Sequence, residues 1–358
     1  MSAGSATLRP GWILGPRADA AIFSGPIVLA LALIAYASAR GVLHADMPPW
    51  MFALLIVGCD VGHVYATAFR VYLDPERFRR RPGLFVGVPL AAFALGVVAY
   101  GFGSDVFWRA LAYLAVWHFV RQQWGWVAFT RAKAGEGDVD RRLDQLVIYA
   151  VTLYPLLVWH AGLPRAIHWF VEGDFVALPR WIAGVAAALH WAVVAAFVGR
   201  QIQHVASGRG VNVAKLQVVV TTFVAWYGGI VVFDSDIAFT ALNVLSHAIP
   251  YLAVVWVVER RHAEGERTPL ARWFAPRFVA LLVGALVLVA YAEEWLWDVF
   301  VWGDHPGLFP GFDEVVGSAA MLGVLVPLLA VPQATHYVLD GWLWRRREHT
   351  DLRPLFER

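Results

Sequence analysis

Ten runs of about 20 predominantly apolar residues, each separated from the next by charged or Pro/Gly-rich segments, restrict this chain to one kind of fold, an all-α polytopic membrane protein. The runs fall at 20–39, 50–70, 83–102, 106–130, 143–161, 178–199, 214–233, 237–258, 277–297 and 314–344. Only 16% of the residues are charged and the mean hydropathy is +0.57, whereas about a quarter of a soluble domain is charged. Ten spans use up most of 358 residues, so a single transmembrane domain over 1–358 is expected. The first run ends in Ala37-Ser38-Ala39, which has the small-residue look of a cleavage site. It is too long for a signal-peptide core, however, and is read as a span. The one cysteine, Cys59, lies in an apolar run, which excludes an intramolecular disulfide and a Cys-based zinc site.

Charge sets the orientation. With the N-terminus inside, Arg40, Arg109, Arg165 and Arg180 are the only Lys or Arg in outer loops, and Arg121 lies within the fourth span. The other 24 of the 29 Lys and Arg fall on the cytoplasmic side, from Arg9 and Arg17 at one terminus to the group from Arg345 to Arg358 at the other. A miscounted span would invert this pattern from that point on, so both termini are expected in the cytoplasm. The segments Asp234–Asp236 and Asp298–Asp313 hold acids without Lys or Arg and are expected outside, near a belt of Trp295, Trp297 and Trp302. The expected location is the inner membrane, with the lipid bilayer as partner and no nucleic acid.

An ionisable group in hydrocarbon costs several kcal/mol unless it faces the bundle interior, so polar residues within spans mark function. Four spans carry them in a common pattern: Asp60 and His63; His118, Arg121, Gln122 and Gln123; Asn243 and His247; Gln333, His336 and Asp340. Asp60/His63 at i,i+3 and His118/Gln122, Asn243/His247 and His336/Asp340 at i,i+4 each place two polar groups on one helical face. All four spans run from outside to inside. Counting residues to the next inner arginine, at about 1.5 Å each, puts His63, His118, His247 and His336 in one layer roughly 10 to 20 Å below the inner surface.

A lone histidine in a span usually serves as an interhelical hydrogen-bond partner, but four at one depth indicate a site. Imidazole suits iron, copper or zinc, and facing pairs also supply axial ligands to haem. Asp60, Gln122, Asn243 and Asp340 are expected to orient the imidazoles through their outer nitrogens. His190 reaches the same layer without a polar companion on its helix, and His44, His160, His168, His204, His262, His305 and His349 are read as surface residues at loops or span ends. Arg121 is read as the partner of a membrane carboxylate or as the holder of an anionic or carbonyl group of a substrate. HExxH, P-loop, G-x-S-x-G and the dense histidine boxes of membrane desaturases are absent from the sequence.

At these four segments the chain distantly resembles the Brp/Blh family of integral-membrane β-carotene 15,15′-dioxygenases. Gly62-His63, His118-Phe119, His247 with Val255-Trp256, and Val331-Pro332 with His336, Asp340, Trp342 and Arg345 follow that family's order of motifs. Gly62 replaces a proline of the family pattern, three residues intervene between Pro332 and His336, and Tyr251 stands where a second histidine would be. The resemblance implies a non-haem Fe(2+) centre using O2 on a lipophilic, carotenoid-like or other isoprenoid molecule, with His63, His118, His247 and His336 as ligands and Tyr251 lining the substrate cavity. A haem-binding redox protein and a transporter or metal permease using the same polar layer remain open alternatives.

Overall fold

The computed structural model describes residues 10–266, 273–311 and 318–344, and no strand occurs among them. Arg9, Asp313, His349, the first residues of the 314–344 run and the basic group from Arg345 to Arg358 lie outside the described residues. Ten long helices follow one another: α1 Pro16–Ala39, α2 Pro49–Val71, α3 Pro82–Gly101, α4 Ser104–Ala134, α5 Arg141–Ala161, α6 Trp181–Ala206, α7 Val213–Val232, α8 Asp236–Glu266, α9 Pro276–Trp302 and α10 Ala319–Leu343.

Among the described residues nine helices are long and apolar enough to cross a membrane, and the protein is accordingly a multi-pass membrane protein. The helix outside that count is α4, the longest with α8 at 31 residues. Its length suffices at 1.5 Å per residue, but its Arg, Gln and His content lowers its hydropathy. His118, Gln122, Gln123 and Arg131 are buried, since α4 packs against α3, α5, α7 and α10, whereas Arg121 is exposed.

Apolar side chains cover the outside and polar ones fill the inside, the arrangement lipid requires. Leu95, Leu189 and Leu288 are each more than 60% exposed, whereas all four layer histidines are at most 2% exposed. Helix α8 is the central post, with 72% of its apolar window buried, and it packs on α1, α2 and α7; α3, at 6%, is a peripheral helix that is apolar all round. Gly229 of α7 permits the closest approach to α8, because a Cβ there would meet Asn243 Nδ2 at 2.8 Å.

Segments expected on one side meet one another. At one end Arg165 pairs with Asp234 at 3.1 Å and His44 Nδ1 bonds the Asp234 carbonyl. At the other, Lys215 Nζ lies 2.7 Å from Glu136 and 3.0 Å from Asp144, and Arg77 lies 2.9 Å from Glu259. The boundaries need correction in three places. The segment 178–180 is not helical, so that span starts at Trp181; Asp298 belongs to a π-helical extension of α9; and α10 is interrupted at Ala330, with Pro332 in the first turn of its second half. Asp298 is also buried, where it accepts the N–H groups of Asp304 and His305.

Two histidines expected at the surface are buried instead. His160 bonds Tyr113 and the Leu156 carbonyl, and His204 pairs with Asp140 at 2.8 Å, so each is a satisfied partner between helices.

Candidate metal centre

Helices α2, α4, α8 and α10 each deliver one imidazole to a common point. One ring nitrogen from each of His63, His118, His247 and His336 lies within 4.8 Å of the others. His247 Nε2 is 3.0 Å from His63 Nε2 and 3.3 Å from His118 Nε2. Two nitrogens about 2.1 Å from a shared ion lie about 3.0 Å apart at a right angle and about 3.4 Å apart at the tetrahedral angle. Both observed separations fit ligands of one ion.

Proton positions strengthen this fit. His63 Nδ1 faces the Cys59 carbonyl at 3.1 Å and must therefore carry the proton, leaving a lone pair on Nε2. His118 Nδ1 faces a carboxylate oxygen of Asp340 at 3.8 Å, which favours the same tautomer. Two lone pairs thus point at His247 Nε2, which has at most one proton to offer. A cation at the centre satisfies all of them, and it also occupies His336 Nε2, which has no hydrogen-bond partner.

The shell around the rings is built across helices. Thr67 Oγ1 lies 2.7 Å from His336 Nδ1 and 3.1 Å from the Tyr251 hydroxyl, so Tyr251 acts through Thr67 on His336. Tyr251 is fully buried, with its ring near His63 and His336. It packs in this shell and does not contribute to the cavity described below. His247 Nδ1 has no partner; its ring lies flat on Phe119, centroids 3.7 Å apart, and Trp169 of the 162–180 loop packs edge-on against Phe119. Asp174 holds that loop by accepting the N–H groups of Trp169 and Phe170. Thr67→Val removes the outer partner of His336 at nearly constant volume. It is expected to weaken metal retention by roughly 10–100-fold in a chelator competition while Thr67→Ser retains it.

The expected orienting residues divide. Asp340 does face the cluster, but it turns to His118 of α4 instead of His336 on its own helix, and it also accepts Trp344 Nε1. The Asp60 carboxylate makes no hydrogen bond to a cluster ring among the described residues, although its backbone carbonyl is a partner of His63. It sits in the π-helical stretch Ala53–Val61, where each N–H reaches back five residues. The carboxylate lies within electrostatic reach of Glu293. Asn243 Nδ2 bonds the Phe239 carbonyl instead of an imidazole. Gln122 is buried with neither side-chain polar atom bonded.

His190, also buried, stands apart in an aromatic box. Its Nδ1 bonds the Ala150 carbonyl and its ring stacks on Tyr154. Arg121 has no carboxylate partner among the described residues and bonds the Tyr149 hydroxyl at 3.1 Å. Sequence reading missed Thr67, Trp169 and Glu293. Glu293, on α9, accepts bonds from Tyr65, Gln333 and Trp297; an acidic pair, Glu293-Glu294, inside an apolar run was the signal that could have revealed it.

A cavity of about 810 Å³ reaches the cluster, with His118, Asp340, Arg121 and Gln122 in its wall and Trp124, Phe129 and Trp342 among its aromatic residues. The centre thus combines a buried tetra-imidazole donor set with access for a molecule of ligand size. No family model, curated protein or solved structure matches this chain.

Proposed function

We propose that the protein is a membrane-embedded non-haem iron oxygenase of the inner membrane, with ten spans and both termini in the cytoplasm, acting with O2 on a lipophilic substrate. The observation that carries this reading is the convergence of four imidazole nitrogens within 4.8 Å in a site shielded from water. His63, His118, His247 and His336 would hold Fe(2+). The resemblance of these segments to the Brp/Blh dioxygenases favours iron over copper or zinc. The same convergence does not suit haem, because axial histidines must leave a clear plane between them for the macrocycle, whereas four rings crowd one point here with centroids 4.7–5.0 Å apart. When bound, iron supplies the one-electron chemistry through which O2 reacts with a closed-shell organic molecule.

The chain's own residues hold and shield the site. Cys59, Asp340 and Thr67 orient the rings of His63, His118 and His336, and the Cys59 carbonyl and Asp340 carboxylate favour the proton on Nδ1 of the first two. Phe119, backed by Trp169, keeps water from His247. The cavity brings an apolar molecule to His118. The lysine and arginine distribution supports the orientation.

The purified protein is expected to contain about one iron per chain, to show no Soret band, and to consume O2 only when a lipophilic substrate is added. A Soret band, or iron uptake into proteoliposomes without O2 consumption, would sink the proposal in favour of a haem protein or a permease.

A further inference from the structure

The geometry points to a lipophilic monoanion, a molecule with one carboxylate or phosphate group on an apolar body, as the occupant of the cavity beside His118. Arg121 lies mid-span, ten residues before Arg131 on α4, at about 15 Å of helix length from it. A guanidinium at that depth is costly unless it meets an anion or water. Its hydrogen-bond partner is the neutral Tyr149 hydroxyl, no carboxylate of the described residues pairs with it, and it is solvent-exposed in the cavity wall.

A second observation is independent of charge. Gln122 is only 8% exposed, both its Oε1 and Nε2 lack partners, and the residue belongs to the wall of the same cavity. Buried amides are nearly always bonded, so a polar group of the occupant is the missing partner. Arg121 and Gln122, adjacent in the chain, therefore define a polar end within one helical turn of His118, where Asp340 also lines the wall; Arg141 is a second cation of the same cavity.

Beyond that end the wall is aromatic, formed by Trp124, Phe129, Trp342 and Trp344. From His118 to Ala132 the cavity follows α4 over about 20 Å. Gly125 keeps it open, since a Cβ there would meet nothing within 4 Å. The occupant lies with its charged group at Arg121 and its apolar body along this wall, which sets it apart from an uncharged hydrocarbon. Its role as substrate rests on the oxygenase reading, whereas its binding stands on the cavity alone.

The test is fluorescence titration of the purified protein in neutral detergent with a polyene fatty acid and with its methyl ester. In parallel, binding to nanodiscs is measured with and without phosphatidic acid. The acid is expected to bind at least 10-fold more tightly than the ester, and Arg121→Gln to abolish that difference. Gly125→Leu, which fills the apolar part, is expected to remove binding of both. Preference for phosphatidic acid over the fatty acid would support the monoanion and identify its source as a phospholipid headgroup.

Equal affinity for acid and ester in the unmodified protein would overturn the inference without reference to any variant. If the iron and the O2 consumption persist in that case, the oxygenase reading stands alone. Selective binding of the acid by a protein that holds no iron would leave the anion site standing and remove the oxygenase.

Discussion

Replacing His247 with alanine is expected to strip the metal from the purified protein, with retention falling by more than about 100-fold, beyond the roughly 10–100-fold attached to an outer partner. His247 Nε2 is the shared neighbour of His63 at 3.0 Å and His118 at 3.3 Å, so its loss opens the donor set at its middle. The substitution also leaves a space beneath Phe119, and that loss of packing needs a control. His190→Ala empties an equally buried site in an aromatic box away from the cluster. Elemental analysis after a chelator wash should find metal in His190→Ala and none in His247→Ala, at similar thermal midpoints. Equal metal in both variants would remove the tetra-imidazole centre from consideration.

The four clustered histidines were legible because two simple physical rules met at them. Hydrocarbon penalises ionisable groups, which marks histidines inside spans, and the 1.5 Å rise turns sequence distance into depth. His63, His118, His247 and His336 therefore fell in one layer before any helix was placed. The shell around them was harder to read because spacing along one helix reports faces, not neighbours. Thr67 acts on His336 from another helix, and Asp340 turns to His118 instead of its own i−4 neighbour. Asp60, in a π-helical stretch, meets His63 through its backbone, while its carboxylate lies near Glu293. Asn243 was drawn to a backbone carbonyl, the usual competitor for a short amide in a helix.

The fold was legible through its apolar runs and charges, although one of the ten expected runs, 106–130, is more polar than the rest. Segments expected on one side do meet. Yet α4, which carries His118 and most of the cavity wall, has too many polar residues to rank as a span by composition. A helix that lines a site inside a membrane must lose hydropathy on its inner face, so function and detectability oppose each other there.

The largest effect on stability is expected far from the metal. Asp144, 1% exposed, stands between Arg131 and Lys215, and Glu136 accepts bonds from the same two cations. This network ties the end of α4 to the starts of α5 and α7, with Asn212 capping α7 and bonding Glu136. Asp144→Ala leaves two buried cations against one carboxylate, and breaking a buried network from one side costs about 3–5 kcal/mol. Thermal unfolding in detergent, followed by tryptophan fluorescence, should show a large drop in midpoint. Removing a cation as well restores the balance, so Asp144→Ala with Lys215→Met is expected to be more stable than Asp144→Ala alone, a sign that independent sites would not give. Iron per folded chain should stay unchanged in both variants, because His118 is held by the packing of α4 against α10 and not by its charged end. If the double variant proves the less stable of the two, the network is not the electrostatic clasp that its geometry indicates.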